Sequence, residues 1–194
     1  MKKFSLFAMA MCLLSACDTI GGGDVIWDIA PVEFKIFITD SGGHDLLDST
    51  VQNNLIKDIT LSYQGETYPV MTDQEYMEKT YGHSQTRAYM PTFYGLILRK
   101  YWSHETFTYG DFELVFGEFD GEESVDKREV LLTMPNGRQV SLAYKNHFRW
   151  KSNGNPKISR QFFLDNQELK DDAGKSGMYH FQYSESKGLE YVPD

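Results

Sequence analysis

From Val25 onward, apolar and polar residues alternate with a period of two rather than 3.6. Val32, Phe34, Ile36 and Ile38 interleave with Glu33, Lys35, Phe37 and Thr39, the pattern of a half-buried strand, and Asp40-Ser41-Gly42-Gly43 closes it with turn formers. Residues 59–63 alternate again before Gln64-Gly65. A two-residue turn there sets Tyr63 opposite Glu66, Leu61 opposite Tyr68 and Ile59 opposite Val70, which brings the apolar members to one face. Pro69 cannot donate to a ladder, so its strand is expected at a sheet edge. Thr72-Asp73-Gln74-Glu75 has capping-box spacing and Gly82 suits a helix C′ position, which predicts a short helix over 73–81.

Further strands are expected over 94–102, 112–119, 129–134, 138–144, 147–151, 158–164 and 178–183. Asp120-Gly121-Glu122-Glu123-Ser124 reads as an acidic turn. Pro135-Asn136-Gly137 reads as a hairpin, its Asn-Gly suited to the positive φ of a type I′ turn. The pattern lacks βαβ alternation, so a parallel sheet is not expected. The fold class is all-β: an antiparallel β-sandwich, immunoglobulin-like by strand count alone, with one short helix and an open β-barrel as the alternative.

Composition adds limits. The chain has 194 residues, of which 41% are hydrophobic, and a net charge of −9. That apolar share excludes disorder as the main state, and the length suits one domain. The acidic balance argues against nucleic-acid or anionic-membrane binding through overall charge.

The N-terminus departs from the strand pattern. Lys2 and Lys3 precede a short apolar run from Phe4 to Leu14, followed by Leu14-Ser15-Ala16-Cys17. This is signal-peptide architecture, and the run is too short for a spanning helix, which needs about 20 residues. Leu14-Ser15-Ala16-Cys17 resembles the lipobox of bacterial lipoproteins. The resemblance implies cleavage before Cys17, which would carry a thioether-linked diacylglycerol and an N-acyl chain. Cys12 would leave with the signal, as would Lys2 and Lys3, taking the net charge to about −11. Several acyl chains meet the two-signal requirement for stable anchoring.

Thr19 to Asp24 contains Gly21-Gly22-Gly23 and reads as a flexible tether. The tether and the Trp-Asp segment after it are similar to those of small uncharacterised lipoproteins of Bacteroidetes. Acidic residues near the lipidated cysteine can mark surface export in that group, and only Asp18 and Asp24 are present here. The expected organisation is a signal at 1–16, lipidated cysteine and tether at 17–26, sandwich at 27–184 and polar tail at 185–194. The expected location is the cell envelope, at the outer membrane, with the periplasmic or surface face open.

No catalytic constellation stands out. His44, His83, His104, His147 and His180 are scattered without His-Glu-x-x-His spacing, and His104-Glu105 point to opposite faces of a strand. Gly82-His83-Ser84-Gln85-Thr86 lacks the second glycine of a nucleophile elbow, and Ser184-Glu185-Ser186-Lys187 lies in the expected tail. Three acidic clusters, Asp40/Asp45/Asp48, Asp120/Glu122/Glu123/Asp126 and Asp171/Asp172, do not follow a calcium-loop pattern and read as solvated turns. No cofactor or metal is expected beyond the lipid.

Aromatic residues are the remaining signal. Tyr89, Phe93, Tyr94, Tyr101, Trp102, Phe107, Tyr109 and Phe112 crowd one stretch. A sandwich buries alternate positions, so some of these rings are expected in solvent. Tyr89, Tyr94, Tyr101, Trp102 and Tyr109 are the candidate ligand-binding residues, able to stack on sugar rings or fill a protein partner's pocket. Three readings remain: a lipid-anchored non-catalytic binding or accessory module, a glycan-binding or glycan-processing lipoprotein, and an envelope component assembling through strand edges.

Overall fold

The computed structural model describes residues 29–72, 74–76, 78, 95–103, 106–171 and 173–193. The signal, Cys17 and the tether lie outside them, as do Tyr89, Phe93, Tyr94, His83 and His104. Eleven strands form one mixed, curled sheet. They are β1 (Val32–Thr39), β2 (Thr60–Tyr63), β3 (Glu66–Thr72), β4 (Leu96–Ser103), β5 (Thr108–Phe119), β6 (Val125–Thr133), β7 (Gln139–Trp150), β8 (Pro156–Leu164), β9 (Gln167–Glu168), β10 (Met178–Ser184) and β11 (Gly188–Tyr191). The spatial order is β11-β10-β1-β5-β4-β3-β2-β6-β7-β8-β9. A four-residue helix, α1 (Ala173–Ser176), precedes β10.

The all-β class agrees with the alternating sequence, and both a sandwich and an open barrel-like fold are consistent with one curled sheet. Two pairings are parallel, β1 with β10 and β3 with β4, contrary to the antiparallel expectation. β1 and β10 lie far apart in sequence, and β3 and β4, though consecutive, pair Val70 with Leu96 across a long connection; local alternation encodes neither relation. The expected polar tail contains β11, which pairs with β10 from Phe181↔Tyr191 to Ser184↔Gly188.

The β2–β3 hairpin has the register read from the sequence, with Leu61 opposite Tyr68 and Tyr63 opposite Glu66. Both turn residues adopt positive φ, 52° at Gln64 and 85° at Gly65. Pro69 is not on an outer edge. Residues up to Pro69 pair with β2 and Val70–Thr72 pair with β4, so Pro69 sits where the strand changes neighbours and its missing donor costs no ladder bond. The capping box forms: Glu75 N donates to Thr72 Oγ1 at 3.3 Å, and Thr72 N donates to Glu75 Oε2 at 2.7 Å. Residues 74–76 and 78 are helical; the rest of the expected helix lies outside the described residues. The Pro135 hairpin is not type I′. Gly137 N donates to Met134 O at 2.8 Å, and of the turn residues only Gly137 has positive φ, giving a type I turn that ends in a left-handed glycine.

Curling closes the core. Phe34 on β1 meets Phe119, Tyr144, Phe162 and Tyr179, with centroids 5.7–6.3 Å apart. Tyr144 and Phe162 come from β7 and β8, far along the sheet from β1. Tyr63 and Tyr68 meet Phe116 across the same interior.

The molecule has two ends. At one, Val32 opens β1 opposite Phe119, which closes β5, and the turn into β6 follows. At the other lie the β1–β2 loop, which leaves Thr39, and the β4–β5 hairpin end. The twelve-residue β5 separates them by about 37 Å.

Candidate functional site

Trp102, Phe107 and Tyr109 gather at the β4–β5 end of the molecule. Lys100 pairs with Phe112 and Trp102 pairs with Tyr109, so Tyr101 alone spans Gly110 and Asp111. This bulge restores Tyr109 to the face of Phe112. The Trp102 and Tyr109 rings meet edge to face at 4.8 Å, with 37% and 68% exposure. Phe107 is 74% exposed and holds φ at 54°. Left-handed backbone costs a non-glycine residue about 1–2 kcal/mol, and this ring gains no burial in exchange. Tyr101 leaves the group: it points to the opposite face and packs on Phe37 at 5.6 Å, where the His180 ring also stacks at 4.5 Å.

Beside the aromatic pair lies an open groove of about 990 Å³. The long β1–β2 loop supplies Ser49, Asn54, Ile56 and Lys57. Thr72 and Gln74 come from the end of β3 and the helical turn, and Leu98, Arg99, Lys100, Tyr109 and Phe112 from the hairpin. Its described lining has an apolar floor, hydroxyl and amide groups, three cations and no carboxylate. Lys100 Nζ lies 5.1 Å from the Phe112 ring centroid.

The groove's loop wall is built from its own carboxylates. Asp45 Oδ2 accepts from Phe112 N and Oδ1 from Leu47 N, both at 2.8 Å, which pins the loop to β5. Burial pushes the Asp45 carboxyl up, against the pull of those two backbone bonds. Asp48 accepts from Thr50 N at 2.8 Å. Asp40 accepts from Gly42 N at 2.7 Å and His44 N at 2.9 Å, and His44's hydrogen bonds hold its carboxyl below the ordinary range. These acids are turn builders. Asp120 likewise accepts from Glu122 N, Glu123 pairs with Arg128, and Asp171 accepts from Tyr191 Oη at 2.6 Å. Among the described residues, no group of three His, Cys, Asp or Glu side chains converges on a metal position. Ser184 accepts from Lys187 N as a turn cap while Lys187 Nζ pairs with Glu190, so this Ser and Lys serve the β10–β11 turn.

Behind the groove, Arg99 Nε donates to Glu113 Oε1 at 2.8 Å and Arg99 also reaches Glu33 at 3.5 Å. Glu113 is 2% exposed, and its Oε2 has no hydrogen-bond partner among the described residues.

The structure brings Trp102 and Tyr109 of the expected set together, sends Tyr101 elsewhere, and does not describe Tyr89 or Tyr94. Sequence reading missed Lys100, Asn54, Lys57 and Gln74. Lys100 shares its face with Trp102 at strand spacing, which could have marked it; the loop residues follow no period. Among the described residues no helix is long and apolar enough to cross a membrane. No protein-family model, curated protein or solved structure matches the chain.

Proposed function

We propose that this chain is a lipid-anchored, non-catalytic binding module of a bacterial cell envelope, held by Cys17 and presenting the β4–β5 end to its ligand. The carrying observation is the exposed trio Trp102, Phe107 and Tyr109 at the β4–β5 end, of which Tyr109 lines the groove and Phe107 sits on strained backbone. Large exposed rings beside a groove are the usual anchors of recognition, since each supplies area with few rotors to immobilise. The Cys17 anchor rests on the lipobox resemblance alone.

Glycan recognition is the second reading. Trp102 and Tyr109 can stack on a sugar face, while Asn54, Thr72 and Gln74 supply the amide and hydroxyl partners that sugar hydroxyls need. Assembly through strand edges draws less support: β9 and β11 are two and four residues long, a usual way of blunting an edge.

Two arms test the proposal. In membranes washed at about 1 M salt, which screens surface charge contacts, Cys17→Ala should be released from the membrane fraction; unchanged retention there contradicts the anchor. On a glycan array, wild type should bind a defined set and Trp102→Ala/Tyr109→Ala should weaken it by at least about tenfold, two hot-spot rings' worth. Silence across the array removes the glycan reading and leaves a protein ligand.

A further inference from the structure

Charge is unevenly placed in this acidic chain. Residues 139–164 contain Lys145, Arg149, Lys151, Lys157 and Arg160 and no Asp or Glu. They form the β7–β8 hairpin, which outruns its neighbour: β6 pairs with β7 only as far as Asn146, while β7–β8 pairing continues to Trp150↔Pro156. The projection is built rather than loose. Ser124 Oγ donates to Phe148 O at 3.1 Å and accepts from Phe148 N at 3.0 Å. Lys151 N donates to Asn155 O at 2.8 Å across the closing turn.

Opposed pairs in an antiparallel ladder share a face, so the projection has two. Phe148/Ile158 and Trp150/Pro156 occupy one, and His147/Ser159 and Arg149/Lys157 the other. Trp150 is 51% exposed and Ile158 39%, a costly surface without a partner. The acidic β5–β6 turn reaches as far as Phe148: Asn146 Nδ2 donates to the backbone oxygens of Gly121 and Glu123, and Ser124 bonds Phe148, so the strand ends at Trp150 and Pro156 and the closing turn lie beyond it.

The chain also enters the domain at this base. Arg160 on β8 donates to the backbone oxygens of Ala30 and Pro31. Gly121 lies so close to Ala30 O that a Cβ there would collide. Eleven residues separate Cys17 from Ile29, a reach of at most about 40 Å, while base to tip is about 13 Å.

We infer that the β7–β8 end is a second membrane contact, docking on the anionic lipid leaflet that holds the anchor. Trp150 and Ile158 enter the interface, and Arg149, Lys151 and Lys157 meet lipid phosphates. The rest of the acidic surface is repelled by such a leaflet, so the basic end also selects one orientation. The inference rests on the Cys17 reading for which leaflet is met, and on charge complementarity for the contact itself.

The test uses the chain from residue 18. Every described residue of the hydrophobic core lies between Val32 and Tyr191, so this chain keeps all of them. Co-sedimentation is measured with phosphatidylcholine vesicles, alone or mixed with phosphatidylglycerol. Binding to the mixed vesicles is expected, with loss at about 1 M salt, where screening shortens to about 3 Å. Arg149→Glu/Lys157→Glu should weaken it at least about tenfold, and Trp150→Ala should weaken it while removing any blue shift of tryptophan emission. These positions are exposed, so unchanged melting curves are the folding control. No binding to mixed vesicles, binding indifferent to the charge reversals, or capture by a soluble polyanion with none by vesicles overturns the inference. If Cys17→Ala frees the protein from cells but vesicle binding fails, only this inference falls. If vesicle binding holds and Cys17→Ala changes nothing, the anchor reading falls instead.

Discussion

Glu113 carries a carboxylate in a nearly dry position on β5, and one ion pair holds it there. Arg99 Nε is the donor to its Oε1, and Oε2 has no partner among the described residues. Removing the arginine therefore leaves a buried charge uncompensated, whereas neutralising the glutamate removes the cause of the cost. Arg99 is itself partly exposed and also reaches Glu33, so water and a second acid soften the pair. Arg99→Met should lose about 2 kcal/mol or more in denaturant unfolding, and Glu113→Gln less. Equal losses would mean that the pair, not the orphaned charge, sets the stability. Sequence made Arg99 and Glu113 visible only as polar residues on alternating strands. Their meeting is a cross-strand register, which depends on how β4 and β5 pair.

The β4–β5 hairpin and the β1–β2 loop together make the groove, and Asp45 joins them. Its two backbone acceptor bonds stand against burial, which wins and raises its carboxyl. A raised acid binds its proton more tightly when folded, so its contribution is fullest below the ordinary carboxylate range and shrinks as pH rises through the folded value. Asp40, Asp48, Glu129 and Glu168 are lowered instead, and their contributions are lost as pH falls through their folded values. Asp45→Asn turns an amide donor toward the Phe112 or Leu47 N–H and should cost about 1–3 kcal/mol. The gap between wild type and variant should narrow as pH rises from about 3 to 7, the span bracketing the ordinary carboxylate value; a widening gap in thermal melts would show that the charged hydrogen bonds outweigh burial.

Much at this scale was legible. Alternation gave most strands, Gln64-Gly65 gave a hairpin register, and Thr72 with Glu75 gave a helix start. Three features escaped for physical reasons. The β5 bulge shifts Tyr109 by one place without a sequence signal, the β1–β2 loop has no period, and β7 runs unbroken through Lys145 and Asn146 because Asn146 is satisfied by the backbone of the β5–β6 turn.

At the scale of the molecule, the two ends carry opposite kinds of surface. Where the chain enters, a basic hairpin projects with Trp150 and Ile158; about the length of β5 away, Trp102, Phe107 and Tyr109 stand around a groove. The lipobox resemblance, the aromatic crowding and the acidic total were all readable, but the placing of the aromatic and charged ends was not, because strand order decides which end each occupies. An overall charge of −9 conceals the basic hairpin, whose cations are contiguous in sequence and are set out as a projecting end by the β7–β8 pairing. In our account the first end rests on the membrane and the second faces the ligand.

That orientation is measured most directly with the lipidated chain in bilayers containing brominated phosphatidylcholine, which quenches tryptophans near the acyl chains. The chain has three tryptophans, so the measurement is made in a Trp27→Phe background, which removes the one near the anchor; Trp150→Phe and Trp102→Phe then each remove one of the two remaining reporters. The account predicts that Trp150→Phe removes quenchable emission and that the emission lost in Trp102→Phe is unquenched. Quenching that disappears with Trp102 instead would place the groove against the membrane and contradict it.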